Sequence, residues 1–230
     1  MITLKGSNGI IFGSTGYLGH SLALRLSQLG CKLILHGRSI EKLSKLDDEI
    51  KTLGVKQILL QSDILDKKFY TELLNLVSSR FEALDFLINV TGNFNRLAPL
   101  THFSHKEWND MIEINLSSFW RTLKELELLI NKSPKPKVIF LNNKIIGKGK
   151  AFYNIFSITN AAIESMAKIY FEENKRLNIQ IKLINLKSLN QGITSILNNE
   201  TKAQESSKKI IEKIIKIGFS DQKDKFYFDI

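Results

Sequence analysis

The sequence predicts a doubly wound α/β domain: a seven-stranded, mostly parallel sheet with helices on both faces. Three observations carry that expectation. Short apolar runs alternate with amphipathic segments of helical period from end to end. A glycine-rich turn separates the first apolar run from the first amphipathic segment. The fourth run, 84–90, is nearly all apolar, as in a parallel strand buried on both faces.

The elements follow in order. Residues 9–12 read as a first strand, and 17–29 as a helix in which Leu18, Leu22, Leu26 and Leu29 recur at helical spacing. Residues 32–36 form a second strand that holds Cys31 at its edge. Ser39 is a candidate N-cap for a helix whose apolar stripe is Leu43, Leu46, Ile50 and Leu53, ended by Gly54. Residues 57–61 are a third strand, 69–77 a helix, 84–90 the fourth strand and 108–129 a long helix. Pro134 and Pro136 bar a helix over 133–136. A fifth strand (138–141), a second long helix (151–175) and a sixth strand (179–185) follow. A helix over 201–217 buries Ile210, Ile211, Ile214 and Ile215, and a short last strand covers 226–228. Right-handed crossovers wind such a chain to both faces of one sheet. No repeat, linker or low-complexity segment breaks it, so 1–230 reads as one domain. The polar, Asn-rich stretch 186–200 is its loosest part.

Bulk properties narrow the classes. The chain has 230 residues, 43% hydrophobic, with a mean hydropathy of −0.08, as in soluble globular proteins. No run is long enough to span a bilayer, and the start has no signal-peptide layout, so a cytoplasmic protein is expected. Cys31 is the one cysteine, so no internal disulfide can form, and a buried inert thiol is expected there. His20, His102 and His105 have no companions at ligand spacing, so no metal site is expected. Trp108 and Trp120, at helical spacing, read as packing residues. The net charge of +10 would suit nucleic acid, but the lysines are interleaved with Asp and Glu along most of the chain, and nucleic acid is not the expected partner.

The turn IIFGSTGYLGHSLALRL places Gly13, Gly16 and Gly19 between strand and helix. Glycine there lets the chain turn tightly, lets a pyrophosphate approach the backbone and lets helix pack on strand. The helix N-terminus then points its N–H groups at the phosphates. This is the logic of a Rossmann-like dinucleotide site. The second strand ends in LHGRS, with His36 and Arg38 where an acidic residue would bind the 2′-hydroxyl of NAD(H). A guanidinium suits a 2′-phosphate, so NADP(H) is expected over NAD(H).

With these motifs the chain resembles the short-chain dehydrogenase/reductase family over nearly its whole length. GSTGYLG, with Ser14, Thr15, Tyr17 and Leu18 between the glycines, resembles the family's cofactor turn, and Ser39 follows Arg38 at the ribose end. SDILD resembles the segment in which Asp63 and Ile64 meet the adenine. LDFLINVTG resembles the fourth-strand motif, here Asn89, Val90, Thr91 and Gly92. WNDMIEINLSSFW carries Asn115, which the resemblance assigns to a catalytic tetrad. KFYFDI resembles the last strand, and GKGKAFYNIF has the spacing of bacterial oxoacyl-reductase-like members.

The resemblance implies a proton-exchanging Tyr, a Lys four residues later that lowers its pKa and binds the nicotinamide ribose, and a Ser that holds the substrate oxygen. The stretch TNAAIESMAK aligns Phe156 with the Tyr and Asn160 with the Lys, and VIFLNNK aligns Asn143 with the Ser. The Pro-Gly expected after Asn185 reads Leu186-Lys187. Phe cannot exchange a proton and Asn carries no charge, so the expectation is a pseudoenzyme that keeps fold and cofactor turn without standard catalysis. A relic pocket that binds no cofactor is the extreme case. Two alternatives stand beside it. One is an active oxidoreductase with a relocated donor, Tyr153, served by Lys144 or Lys187. The other is a basic-surface nucleic-acid binder. The resemblance also implies a homo-oligomer paired through the two long helices, where Ala161, Ala162 and Ser165 permit close approach. An active family member is another possible partner. An acidic carrier protein would be received by Lys132, Lys135, Lys137, Lys144, Lys148 and Lys150.

Overall fold

The computed structural model describes residues 4–143, 151–186, 200–223 and 225–230, with backbone alone for 200–207. Seven strands form one sheet: β1 (Asn8–Phe12), β2 (Lys32–Gly37), β3 (Ile58–Gln61), β4 (Phe86–Asn89), β5 (Lys137–Asn143), β6 (Gln180–Leu186) and β7 (Tyr227–Asp229). Their order is β3-β2-β1-β4-β5-β6-β7, and every neighbouring pair is parallel. The chain runs outward from β1 to β3, then returns to lay β4 on the other side of β1. That reversal opens a crevice at the carboxyl ends of β1 and β4.

The alternation of each strand feeds two cores. Ile10 and Phe12 of β1, Leu87 of β4 and Val138 and Phe140 of β5 face one core. Ile11, Phe86, Ile88 and Ile139 face the other. The first core is closed by α3 (Lys67–Ser78), α5 (Ser118–Lys132) and α6 (Asn154–Glu173), through Leu73, Leu126 and Ala167 among others. The second is closed by α1 (Tyr17–Gln28), α2 (Ile40–Lys51) and α7 (Glu200–Gly218), through Leu22, Leu43 and Ile214. A strand buried on both sides must be apolar throughout, which is why 84–90 reads as it does.

Several expectations are corrected. The long helix expected at 108–129 is two: α4 (His105–Ile112), begun by a Ser104/Glu107 capping box, and α5, joined by a π-helical turn over Glu113–Ser117. Trp108 and Trp120 do not pack inside; Trp120 is 50% exposed. The helix expected from 151 begins only at Asn154, itself irregular at φ 39°, because Phe152 sits at φ 70°, outside helical geometry. Leu53 lies beyond the last turn of α2 and is exposed, whereas Gly54 takes φ 76° and ends the helix as expected. Cys31 precedes β2; it is buried, and desolvation first, with the Asp85 carboxylate second, pushes its thiol up to about 12. Lys137 is buried, donates to Gln180 Oε1 at 2.6 Å and lies 3.6 Å from Asp221, so it is no part of a docking surface. Lys144, Lys148 and Lys150, Lys187 and most of the 186–200 stretch lie outside the described residues.

Candidate cofactor site and the cavity beside it

The glycine turn is fastened at the crevice. Ser14 is fully buried, and both its N–H and its Oγ donate to the His36 carbonyl, each at 2.9 Å. Gly13 has φ 80°, and a Cβ there would lie 3.0 Å from the Thr91 nitrogen. Gly19 has no room at all: its Cβ would meet the Gly13 oxygen at 2.2 Å. Gly37 leaves space for Thr15, whose Cγ2 would lie 2.6 Å from a Cβ at that position. Gly16 differs. Its φ of −81° suits any residue, and its Cβ would meet only the Gly13 oxygen, at 3.4 Å. Nothing among the described residues requires glycine there; a phosphate pressed against the backbone would. Gly16 also N-caps α1, which has no side-chain cap and no acidic residue in its first turn. That leaves a positive helix end facing the crevice.

At the end of β2 the two predicted residues separate. His36 is 2% exposed, its ring packed between Phe12 and Phe69, with centroids at 5.1 and 5.4 Å. Its Nε2 pairs with Ser62 Oγ at 2.9 Å, and burial pulls its pKa down to about 4. A neutral core imidazole cannot meet a phosphate as a cation, so His36 supports the turn and leaves the charge to Arg38. Arg38 is exposed, and its guanidinium has no partner among the described residues. Ser39 N-caps α2, accepting from Lys42 N at 3.3 Å. Asp63 closes its own turn by accepting from Leu65 N, and Ile64 is buried beside it. Tyr17 is exposed at the start of α1.

Beyond the turn lies a cavity of about 130 Å³ at the carboxyl ends of β4, β5 and β6. Leu18, Asn89, Val90, Thr91 and Gly92 border it on one side; Asn115, Asn142, Asn143, Phe156, Thr159 and Asn160 border it on another. Asn89 Oδ1 accepts from the Thr91 N–H and hydroxyl, at 2.9 and 2.6 Å. Asn115 sits in the π turn, which rotates it toward the 93 loop. Its Oδ1 accepts from Asn93 N at 2.7 Å, and its Nδ2 donates to Asn93 O at 2.9 Å and to Thr159 Oγ1 at 3.4 Å. Such π turns recur at functional sites. Asn160 joins strand to helix: its Oδ1 accepts from Asn143 N at 3.2 Å and its Nδ2 donates to Phe156 O at 2.7 Å. Among the described residues lining the cavity there is no Asp, Glu, Lys, Arg, His, Tyr or Cys. The described part of the wall can donate and accept hydrogen bonds and holds no group that exchanges a proton near neutral pH.

Tyr153 is placed apart from this wall. It is half-buried at the N-cap of α6, its ring 5.8 Å from that of Phe94, which in turn meets Phe156 edge-on at 5.3 Å. The structure adds residues that the sequence reading passed over: Thr159, bonded to Asn115, and Asn142, whose amide has no hydrogen bond among the described residues. The doublet Asn142-Asn143 at a strand end was the available signal. It also gathers three left-handed non-glycine residues, Asn95, Phe152 and Asn154, at one place, where Ala98 N donates to Phe152 O and Asn154 Nδ2 to Arg96 O. Among the described residues no cluster of acidic, His or Cys side chains could hold a metal, and no helix is long and apolar enough to cross a membrane.

The family model for short chain dehydrogenase matches residues 8–213. An uncharacterized oxidoreductase of Staphylococcus aureus strain MW2 is 22% identical over 216 residues, covering 94% of this chain and 92% of its own. A short chain dehydrogenase structure from Pseudomonas syringae superposes with a TM-score of 0.90 at 17% identity, covering 99% of this chain and 96% of that one. One from Shigella flexneri, complexed with NADP, gives 0.87 at 19% identity over 100% and 99%.

Proposed function

The chain belongs to the short chain dehydrogenase family, and from that premise we infer that it is an NADP(H)-binding protein in which the family's standard catalysis is lost. The observation that carries this reading is the pairing of a cofactor turn that keeps Gly16 with no need for it among the described residues, and a cavity wall whose described residues bear no proton-exchanging side chain. Gly13, Gly16, Gly19 and the α1 N-terminus would hold the pyrophosphate. Arg38 would hold the 2′-phosphate, Asp63 and Ile64 the adenine, and Asn89–Gly92 the opposite rim. The preference for NADP(H) over NAD(H) rests on Arg38, exposed at the end of β2 where a guanidinium suits a 2′-phosphate.

When bound, such a cofactor supplies a hydride. This chain's residues would then have to hold or move the accompanying proton, and the three aligned positions, Asn143, Phe156 and Asn160, do neither. Phe156 seals the wall, while Asn160 spends its amide on two backbone groups. Tyr153, turned onto Phe94 and off the cavity wall, is assigned no proton transfer. The test is calorimetric titration with NADPH and NADH, followed by a carbonyl-reduction screen. Binding of NADPH over NADH, abolished by Arg38→Glu, with no turnover, supports the reading. Turnover that Tyr153→Phe removes would replace it with the relocated-donor enzyme.

The reading extends to quaternary structure. A groove of about 790 Å³ runs between α5 and α6, lined by Leu116, Trp120, Leu123, Ala162, Met166 and Ile169. Trp120 and Ile169 stand exposed along it. A second copy of the chain, pairing the same two helices, would cover that apolar face.

A further inference from the structure

Resting on the reading that the chain holds NADP(H), we propose that Glu41 is a specificity-determining residue that works against the 2′-phosphate. Its carboxylate takes the Ser39 hydroxyl proton and the positive end of α2, both of which a phosphate would otherwise use. The 2′-phosphate is the one group that separates NADP(H) from NAD(H), and as an anion it seeks hydrogen-bond donors and cations. The end of β2 offers it two side chains. Arg38 is exposed and forms no ion pair with Glu41, three residues on, or with any other described residue. Ser39 is half-buried and engaged on both sides. Its Oγ accepts from Lys42 N at 3.3 Å and donates to Glu41 Oε2 at 3.1 Å. A hydroxyl has one proton to give, so while Glu41 holds it Ser39 has none for a phosphate.

The helices that follow β1 and β2 differ in the same sense. α1 has no side-chain cap and no acidic residue in its first turn, so its positive end is left to an incoming anion. α2 has a Ser cap and, in Glu41, a carboxylate in its first turn. The chain supplies that second helix end with an anion of its own. A phosphate brought beside it must displace the Glu41 carboxylate or bear its repulsion. NADH, with a neutral 2′-hydroxyl, meets neither obstacle. Arg38 favours the phosphate and Glu41 opposes it, and the preference for NADPH is the difference between the two.

The test is calorimetry on the full chain with NADPH and NADH, at about 0.15 M salt so that distant surface charges are screened. Glu41→Ala should tighten NADPH by about threefold to tenfold, the range of one exposed charge contact and one hydrogen bond. NADH should stay within about twofold of its wild-type Kd. Adding Ser39→Gly, which keeps the cap but removes the hydroxyl, should weaken NADPH again by about threefold. Circular dichroism checks that both variants fold. A folded Glu41→Ala protein that binds NADPH no tighter than wild type overturns the proposal. So does a double variant that keeps the whole gain, or an equal gain for NADH, which would make Glu41 a general repulsion of the dinucleotide. In each of these cases NADPH binding by the wild type leaves the cofactor reading in place. If neither the wild type nor Glu41→Ala binds either dinucleotide, the cofactor reading falls and this inference with it.

Discussion

An alanine Cβ at Gly19 would lie 2.2 Å from the carbonyl oxygen of Gly13, a backbone atom that cannot yield. At Gly16 the same atom finds 3.4 Å and an ordinary φ. Gly19→Ala is therefore expected to destabilise the fold by about 1–3 kcal/mol, as overpacking does. Gly16→Ala should cost about 1 kcal/mol or less, the size of a weakened N-cap, yet abolish NADPH binding. Denaturant midpoints with calorimetry separate the two effects, and equal loss of stability in both variants would remove Gly16 as evidence for a ligand. His36 makes a second prediction at this scale. Its folded pKa of about 4 lies below the ordinary 6.5, so the unfolded chain binds the extra proton first. The contribution is intact above pH 6.5 and is lost as pH falls toward 4, at a slope of at most about 1.4 kcal/mol per unit. His36→Phe should flatten that part of the stability profile in urea titrations from pH 7 to 4. Both residues were visible in the sequence; the separate roles of the glycines and the burial of the imidazole were not. Each depends on what reaches it from a distant element: Thr91, just after β4, against Gly13, and Phe69 of α3 against His36.

The elements were legible where periodicity sets them and illegible where a few dihedrals do. Apolar spacing foretold all seven strands and the helices on both faces. It ran α4 and α5 together because a π turn inserts without breaking the apolar pattern, and a shared Ser, Asn and Leu composition gives no warning. The start of α6 was missed for the opposite reason: left-handed geometry at Phe152 and Asn154 is imposed by the bonds to Ala98 and Arg96, far away in sequence. Trp120 read as a packing residue from its helical spacing with Trp108, and the structure puts it on an open groove with Ile169 of α6. An exposed indole on an apolar two-helix face is the anchor expected of a subunit contact. The double variant Trp120→Glu/Ile169→Glu should convert the assembly to monomer without unfolding it, since neither side chain supports the core. Light scattering after size exclusion, with circular dichroism as the control, decides it; a wild-type monomer would refute the pairing outright.

At the scale of the molecule, the sheet order and the reversal between β1 and β4 put the turn, the 89–92 rim and the ends of β5 and β6 around one crevice. That geometry belongs to the scaffold and does not depend on which side chains sit at 143, 156 and 160. The scaffold also holds itself by means unrelated to chemistry: fully buried Lys182 donates to the carbonyls of Gln222 and Lys225 and pins the segment that leads into β7. If fold and chemistry are separable in this way, chemistry should be recoverable by restoring the three aligned residues. Asn143→Ser/Phe156→Tyr/Asn160→Lys is expected to gain NADPH-dependent reduction of a simple activated ketone. The gain over wild type should be on the order of 10²–10⁴, the usual contribution of general acid–base catalysis. The single variants should gain far less, because a Tyr without its neighbouring ammonium keeps an ordinary pKa, and groups that act as a unit are not additive. Loss of the Asn160 bridge between Asn143 N and Phe156 O will lower stability somewhat, so folding and NADPH binding of the triple variant are measured first. A folded triple variant that binds NADPH and still fails to turn over would move the missing function from these three positions to the substrate side of the pocket.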